Sequence, residues 1–294
     1  MKPFAALFAS ALIATLPLLG QTPVDPKSPI AGYPDGRGPK GPVVVKIVSP
    51  TADEVIPWPA ADAGQPAPKG ARVEVKVTVE NFETFKDEAT GKGQHVQLVL
   101  DGRILPEWYQ TDKPWIFPAM PRGTHTLLAF VQRPWEEAIR ESGAFAAVTF
   151  HVGEKNGKPA FDMAQPAITV GGPRGKFKKS EAARILFDVY VTGCKVGPAT
   201  DANACQIVYR LNQDPQKTLT TWAPAIWENV PVGKHSYIVA LYRAEKRIEA
   251  PFALSQGFFE VVDGPEAPAA PGAPAAPAAP AAPAAPAAQA PPAG

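Results

Sequence analysis

The stretch GTHTLLAFVQ, Gly123–Gln132, recurs in similar form as GKHSYIVALY at residues 233–242. Each stretch begins with a glycine, places a histidine two residues later and continues with mostly apolar residues. A short apolar run that begins at a turn residue predicts a β-strand. Its recurrence predicts that one structural unit is present twice in the chain.

Other stretches repeat in the same order. ARVEVKVTVE, at residues 71–80, alternates valine with charged residues or threonine, and ARILFDVYVT, at residues 183–192, repeats that alternation. A period of two residues is typical of a strand with one buried face. The last strand of each unit is predicted in FAAVTFHV, residues 145–152, and in FFEVV, residues 258–262. The sequence therefore predicts two units with the same strand order.

Short strands separated by turn signals, without long helical periodicity, predict antiparallel β-sandwiches. A repeat of about 100 residues is a tandem domain, because solenoid repeats are shorter. We predict an all-β chain with one sandwich at residues 43–152, a linker at residues 153–166 and a second sandwich at residues 167–263.

This pattern resembles the immunoglobulin-like and fibronectin-III-like sandwiches of bacterial exported proteins, over roughly residues 43–263. The resemblance rests on the number of strands, the G-x-H-[TS] entry to the penultimate strand and the apolar alternation. The Cys…Trp…Cys pattern of antibody domains is absent. The resemblance implies two tandem Ig-like domains and brings no known activity with it.

Both ends of the chain differ in composition from the predicted domains. Residues 1–20 hold one lysine and an apolar run shorter than the roughly 20 residues of a membrane-spanning helix. They predict a cleaved signal peptide, export to the periplasm or the outside of the cell, and no transmembrane anchor. Residues 21–42 are rich in proline, glycine and charge and predict a disordered leader.

The tail at residues 264–294 has a proline at nearly every third position, which is typical of polyproline II. A semi-rigid spacer is one interpretation of this tail, and a solubilising end without a partner is the other. The chain is close to neutral, with 29 basic and 28 acidic residues. Without a basic block it lacks the electrostatic footprint of a nucleic-acid-binding protein. The predicted partner is an envelope protein or a polysaccharide.

Cys194 and Cys205 are the two cysteines of the chain. In an oxidising compartment they predict one disulfide, which closes a short loop and contributes about 3 kcal/mol by loop-closure arithmetic. Two free buried thiols are the alternative. The disulfide either pre-organises a binding loop or protects a long loop from proteolysis.

Recognisable catalytic motifs are absent from the sequence, so we predict no enzyme, no cofactor and no metal. His125 and His235 hold the same position in the two units, just after a turn glycine. A repeated position usually serves the fold of the repeat, here by hydrogen-bonding the turn, and metal binding is the alternative. The stretch RPWEEAIRESG, residues 133–143, predicts a short helix that begins near Pro134 and has a solvated acidic face.

Aromatic residues outside the predicted strands are the candidates for binding a ligand or a partner. Trp108 and Tyr109 lie in the connection LPEWYQTDKPW, and Trp135 follows the penultimate strand of the first unit. Exposed rings bury a large area at a low entropic cost. Alternatively, these rings cap the sandwich ends or pack between the domains. We predict a non-enzymatic exported binding or structural module of the bacterial cell envelope, or alternatively a carbohydrate-binding accessory protein that uses these rings.

Overall fold

The alternating stretch of the first unit forms the strand that it predicts. Ala71–Glu80 is continuous, with Val73, Val75 and Val77 buried and the intervening side chains more exposed. Period-two alternation thus places the valines on the core face of a sheet.

The computed structural model describes residues 37–61, 67–88 and 90–264. Within these ranges the chain forms strands and no helix, so the prediction of an all-β fold is confirmed.

Domain 1 contains eight strands. They are β1 (Val44–Ser49), β2 (Val55–Ile56), β3 (Ala71–Glu80), β4 (His95–Leu100), β5 (Arg103–Ile104), β6 (Trp115–Met120), β7 (Gly123–Gln132) and β8 (Phe145–Val152).

Domain 2 contains nine strands. They are β9 (Ala167–Gly172), β10 (Gly175–Lys178), β11 (Arg184–Thr192), β12 (Gln206–Leu211), β13 (Lys217–Leu219), β14 (Ala225–Glu228), β15 (Gly233–Arg243), β16 (Lys246–Arg247) and β17 (Leu254–Val262).

The two domains have the same topology. In domain 1 a three-stranded sheet, β1–β3–β6, faces a five-stranded sheet in the order β2–β8–β7–β4–β5. In domain 2 the corresponding sheets are β9–β11–β14 and β10–β17–β15–β12–β13, with β16 paired to β15. Pairing is antiparallel except for β2 with β8 and β10 with β17, which are parallel at equivalent places. The chain is therefore a tandem pair of Ig-like sandwiches.

Each sandwich has its own apolar core between its two sheets. In domain 2 the core includes a group of rings in which Phe187 lies 4.9 Å from Tyr209 and 4.7 Å from Trp227 between ring centroids. The core of domain 1 consists mainly of valines and leucines, together with Phe150.

The segment 133–143 is not the predicted helix. A turn closes at Arg133, whose amide donates to the Glu137 carbonyl oxygen at 2.8 Å, and Ala138 then pairs with Gln132 as a β-bridge. The backbone amide of Ala138 also donates to Asp188 of domain 2 at 2.7 Å. Partners outside the segment thus satisfy its backbone groups in an extended form, although proline and acidic residues are also typical of a helix start.

A third apolar cluster joins the two domains. The ring of Tyr190, on β11, stacks on Phe130 and Phe145 of domain 1 at centroid distances of 4.7 and 5.0 Å. From the linker, Phe161 is buried against Phe252 at 4.9 Å. Domain 2 therefore covers the outer face of the five-stranded sheet of domain 1.

Charged pairs accompany this apolar contact. Arg140 of domain 1 pairs with Asp188 of domain 2, and both side chains are almost completely buried. A second pair, Lys92 with Glu181 at 2.7 Å, is much more exposed. Together these contacts fix the orientation of the two sandwiches.

The predicted signal peptide, most of the predicted leader and nearly all of the proline-rich tail lie outside the described residues. The last part of the predicted leader, residues 37–42, lies against domain 1: Lys40 donates to the Asn81 carbonyl oxygen at 3.0 Å, and Asn81 donates to the Pro42 carbonyl oxygen at 2.8 Å. These residues thus differ from the disorder predicted for them. Nowhere in the described part of the chain does a helix reach the length and hydropathy needed to span a membrane.

Candidate functional site

His125 connects the turn before β7 to the turn after β4. Its Nδ1 lies 2.7 Å from Oδ2 of Asp101, and its Nε2 lies 3.0 Å from the Pro121 carbonyl oxygen. Because both partners are acceptors, the arrangement suits an imidazolium, in which both ring nitrogens donate. Burial acts to lower the pKa of His125, but the hydrogen bond and charge of Asp101 outweigh it, so the pKa lies above its usual value.

His235 makes the equivalent connection in domain 2 with a neutral partner. Its Nε2 donates to the Pro231 carbonyl oxygen at 2.8 Å, and its Nδ1 accepts from Nδ2 of Asn212 at 3.0 Å. The amide oxygen of Asn212 accepts the Ser236 amide at 3.0 Å, which fixes the orientation of the Asn212 side chain. A neutral imidazole satisfies this arrangement. Among the described residues, no cluster of three or more potential metal ligands occurs at either histidine or elsewhere.

Trp108 does not present an exposed ring, and this part of the sequence prediction is wrong. The residue is 5 % exposed, and its backbone pairs with Val96 in both directions at 3.0 Å. Its indole N–H donates to the Gln110 carbonyl oxygen at 2.9 Å, and its ring packs edge-on against Trp115. The polar connection around Trp108 runs along the core, so the ring belongs to the interior of domain 1.

Tyr109 and Trp135 are half-buried near the boundary between the domains. The Tyr109 ring lies 5.4 Å from the His95 ring, and Lys86 Nζ lies 5.5 Å from its centroid. Burial raises the pKa of the Tyr109 hydroxyl to about 12. The indole N–H of Trp135 donates to Oε2 of Glu137 at 2.6 Å. Both rings thus keep part of their surface accessible.

Acidic residues of the segment 133–143 are not a solvated helical face, which corrects the sequence prediction. Glu137 is 1 % exposed. Burial raises the pKa of Glu136 to about 7, against the opposing charges of Arg174 and Lys92. Arg174 reaches across from domain 2, donating to Oε1 of Gln97 at 3.0 Å. These groups form the polar margin of the domain interface.

Cys194 and Cys205 form the predicted disulfide, with their Cα atoms 6.2 Å apart. Cys205 is completely buried at the edge of the domain 2 core, and its amide donates to the Lys195 carbonyl oxygen at 2.8 Å. The disulfide ties the β11–β12 connection to the sandwich.

The outer face of the five-stranded sheet of domain 2 carries two of the exposed large apolar side chains among the described residues. Phe258, on β17, is 73 % exposed, and Leu254 on the same strand is 40 % exposed. Across the sheet, Phe258 pairs with Ser236, and Leu254 pairs with Ala240. Half-buried Ile238 lies between these two rungs. We call this surface the open face.

The equivalent surface of domain 1 is covered. In the repeat, the pair Ala240–Leu254 corresponds to the pair Phe130–Phe145, because each lies at the same distance from the repeated histidine along paired strands. Phe130 and Phe145 hold the ring of Tyr190. The same sheet face is thus an occupied interface in domain 1 and an unoccupied surface in domain 2.

Sequence reasoning missed Phe258 as a candidate. The signal was present, since adjacent residues on a strand point to opposite faces, so Phe258 and Phe259 cannot both be in the core. Phe259 is buried at 3 % exposure, and Phe258 therefore points outward.

Similarity between this chain and known proteins is distant. No protein-family model matches the chain, and no curated protein does. A structure of fibronectin(III)-like modules of Clostridium thermocellum CbhA is 10 % identical, covering 75 % of this chain and 94 % of that one, with a TM-score of 0.22. SGBP-B of Bacteroides ovatus, solved with a mixed-linkage heptasaccharide, is 11 % identical, covering 74 % and 70 % of the two chains, with a TM-score of 0.21. Dimeric latent PorU of Porphyromonas gingivalis is 10 % identical, covering 79 % of this chain and 21 % of that one, with a TM-score of 0.25.

The strand order of the chain itself defines the class of protein. Two sandwiches that share a three-stranded sheet and a five-strand order in the larger sheet, with β16 added in domain 2, make this a tandem immunoglobulin-like or fibronectin-III-like β-sandwich protein.

Proposed function

We propose that this chain is a non-enzymatic exported module that binds a protein partner through the open face of domain 2. The observation that carries the proposal is the 73 % exposure of Phe258 at a sheet face whose counterpart in domain 1 is an interface. Fully burying such a side chain contributes roughly 1.5–3 kcal/mol. Large rings at the centre of a contact are the usual anchors of protein interfaces.

The rigid junction between the domains supports this role. Tyr190 and the buried pair Arg140–Asp188 hold the sandwiches in one orientation, so the open face is presented from a fixed body. Preorganisation of this kind lowers the entropic cost of binding. Export is supported by the N-terminal sequence and by the disulfide, because disulfides persist in oxidising compartments.

The proposal is tested by the size of the complexes that the chain forms in an envelope extract of its producing cells. Wild-type chain is expected to elute from a gel-filtration column ahead of the purified chain alone. Phe258→Ser is expected to elute as the chain alone. Val48→Ser, at a residue 49 % exposed on domain 1, is the matched control and is expected to behave as wild type. Retention of the early elution by Phe258→Ser contradicts the proposal.

Carbohydrate binding is the second candidate function. It is favoured by the half-buried rings of Tyr109 and Trp135, which lie near charged groups such as Glu107 and Arg174 at the domain boundary. Rings with neighbouring polar groups suit the stacking of sugars. Titration with soluble envelope glycans is then expected to change the tryptophan fluorescence of wild type and not that of Trp135→Phe. A flat wild-type titration removes this candidate.

A further inference from the structure

Positive charge surrounds the open face. Strand register places Lys234 opposite Glu260 and Arg210 opposite Ile238, all on the outer side of the sheet. On the edge strand β10, Lys176 and Lys178 point to the same side, because the intervening Phe177 packs toward the core. Lys176 lies 3.8 Å from Glu260, and Glu181 interacts electrostatically with Lys178 at the edge of the sheet. Four cations thus lie with two carboxylates, so positive charge is in excess around the open face.

Arg210 is the best placed of these cations for a partner. Its Nε atom is buried and has no hydrogen-bond partner, and no carboxylate of the described residues pairs with its guanidinium. The residue lies beside Ile238 in the middle of the face.

The covered face of domain 1 gives a template for an occupant. There the incoming surface is the outer side of β11, which brings the ring of Tyr190 to Phe130 and the carboxylate of Asp188 to Arg140. An aromatic residue and a carboxylate two positions apart on one strand point to the same side. The surface that covers the outer sheet face of domain 1 is therefore apolar and carries a carboxylate.

A second copy of the chain does not match this template. The positions of β3 that correspond to Asp188 and Tyr190 hold Lys76 and Thr78, as the aligned stretches ARVEVKVTVE and ARILFDVYVT give them. In a head-to-tail stack of copies, Lys76 would replace the Asp188 carboxylate and Thr78 would replace the Tyr190 ring, so the open face would meet neither an acid nor an aromatic ring from β3. The chain's own residues 265–294 do not match it either, because they contain one carboxylate side chain, Glu266, and no aromatic residue.

We infer that the occupant of the open face is another protein, which presents an apolar or aromatic centre flanked by carboxylates. This inference rests on the proposed function and adds the chemistry of the partner. The apolar centre packs on Phe258 and Leu254, and a carboxylate pairs with Arg210 or Lys234. Complementary charge selects the partner and speeds its association.

Photo-crosslinking in the producing cells tests the inference. Phe258 of the full chain is replaced by benzoylphenylalanine, which keeps an aromatic ring at that position. Two variants of this crosslinking protein are compared with it. One carries Arg210→Glu and Lys234→Glu, and the control carries Arg72→Glu and Lys76→Glu on the charged outer face of domain 1. Equal thermal midpoints of the three proteins establish that folding is unchanged.

The expected result is an adduct with a different protein, crosslinked at a segment that contains aspartate or glutamate. Its yield is expected to fall about tenfold in the Arg210/Lys234 variant, because like charges oppose each other across the contact, and to be unchanged in the control. Substituting the partner's acids by lysine is expected to restore the adduct of the reversed variant.

Three outcomes overturn the inference alone: an adduct within the chain's own residues 265–294, an adduct of two copies, or a foreign adduct whose yield ignores the charge reversal. Absence of every adduct, together with unshifted elution in the envelope extract, removes the proposed function as well.

Discussion

Oδ2 of Asp101 lies 2.7 Å from Nδ1 of His125, whereas the equivalent position in domain 2 is occupied by an asparagine. The two domains therefore use the same hydrogen-bonded turn in two charge states. Domain 1 holds an ion pair, and in domain 2 Asn212 satisfies a neutral imidazole. The hydrogen bond and charge of Asp101 raise the pKa of His125, which makes the domain 1 turn sensitive to pH.

We predict that Asp101→Asn removes part of the pH dependence of stability. The raised pKa of His125 gives stability that is fully present below the unfolded-state pKa, near 6.5, and is lost as pH rises through the folded-state value. Urea unfolding between about pH 6 and pH 9 is expected to show this decline in wild type and a shallower one in the variant.

The reciprocal substitution is the matched control. Asn212→Asp creates in domain 2 the carboxylate–imidazole pair of domain 1, so it is expected to steepen the decline over the same pH range. If Asp101→Asn and Asn212→Asp change the slope in the same direction, the assignment of the two charge states is wrong.

Breaking the buried pair between the domains is expected to cost much more stability than breaking the exposed pair Lys92–Glu181. Asp188→Ala leaves the guanidinium of Arg140 buried without its carboxylate and removes the acceptor of the Ala138 amide. Breaking a buried pair in this way costs about 3–5 kcal/mol. Urea unfolding measured by circular dichroism is expected to register a loss of this size.

Lys92→Ala is the comparison for Asp188→Ala. It breaks an exposed charged contact between the domains, whose two side chains are 38 % and 39 % exposed. Exposed pairs contribute about 0–1 kcal/mol. Similar losses in the two variants would show that burial does not decide the strength of these contacts.

Glu136 is expected to make the chain less stable as pH rises. Burial raises the pKa of this carboxyl to about 7. Stability from the protonated form is therefore full below the ordinary pKa, near 4.3, and falls until about pH 7. Glu136→Gln is expected to flatten this decline and to be more stable than wild type at pH 8, as measured by urea unfolding. The exposed Glu154→Gln is the control, and an equal effect there contradicts the prediction.

Much of the fold could be predicted from local alternation. Residues 71–80 alternate because one face of β3 is buried, whereas both faces of β11 are buried, one in the core and one against domain 1. The repeated order of such stretches gives the topology twice. The conformation of the segment 133–143, by contrast, was predicted wrongly because it does not follow from the local sequence. Its conformation depends on Asp188, which lies far along the chain and accepts the Ala138 amide, and no local pattern contains that contact.

The candidate site could be predicted only in part. Trp108 lies in a polar connection, and nothing in the neighbouring residues indicates that its backbone pairs with Val96 along the core. That Phe258 points outward follows from Phe259 beside it. Whether a second domain covers the Phe258 ring depends on how the two sandwiches pack. Tyr190 and its partners in domain 1 determine that packing.

The repeat also predicts a compensating pair of substitutions. Tyr237 lies opposite Gly257 on paired strands, and the equivalent positions in domain 1 are Leu127 and Val148. A Cβ atom at Gly257 would meet the ring of Tyr237, which is packed against Trp227. Gly257→Val alone is therefore expected to lose about 1–3 kcal/mol through overpacking.

Tyr237→Leu alone is also expected to lose stability, because the smaller side chain leaves part of the ring's space empty. The double variant Tyr237→Leu, Gly257→Val recreates the domain 1 pair, so each change fills or vacates the space that the other needs. A double-mutant cycle by urea unfolding is expected to give a total loss at least 1 kcal/mol smaller than the sum of the single losses, since residues in contact couple by roughly 0.5–3 kcal/mol. Strict additivity would mean that the two positions do not share the same space, and that the equivalence of the two sandwiches does not extend to this rung of the core.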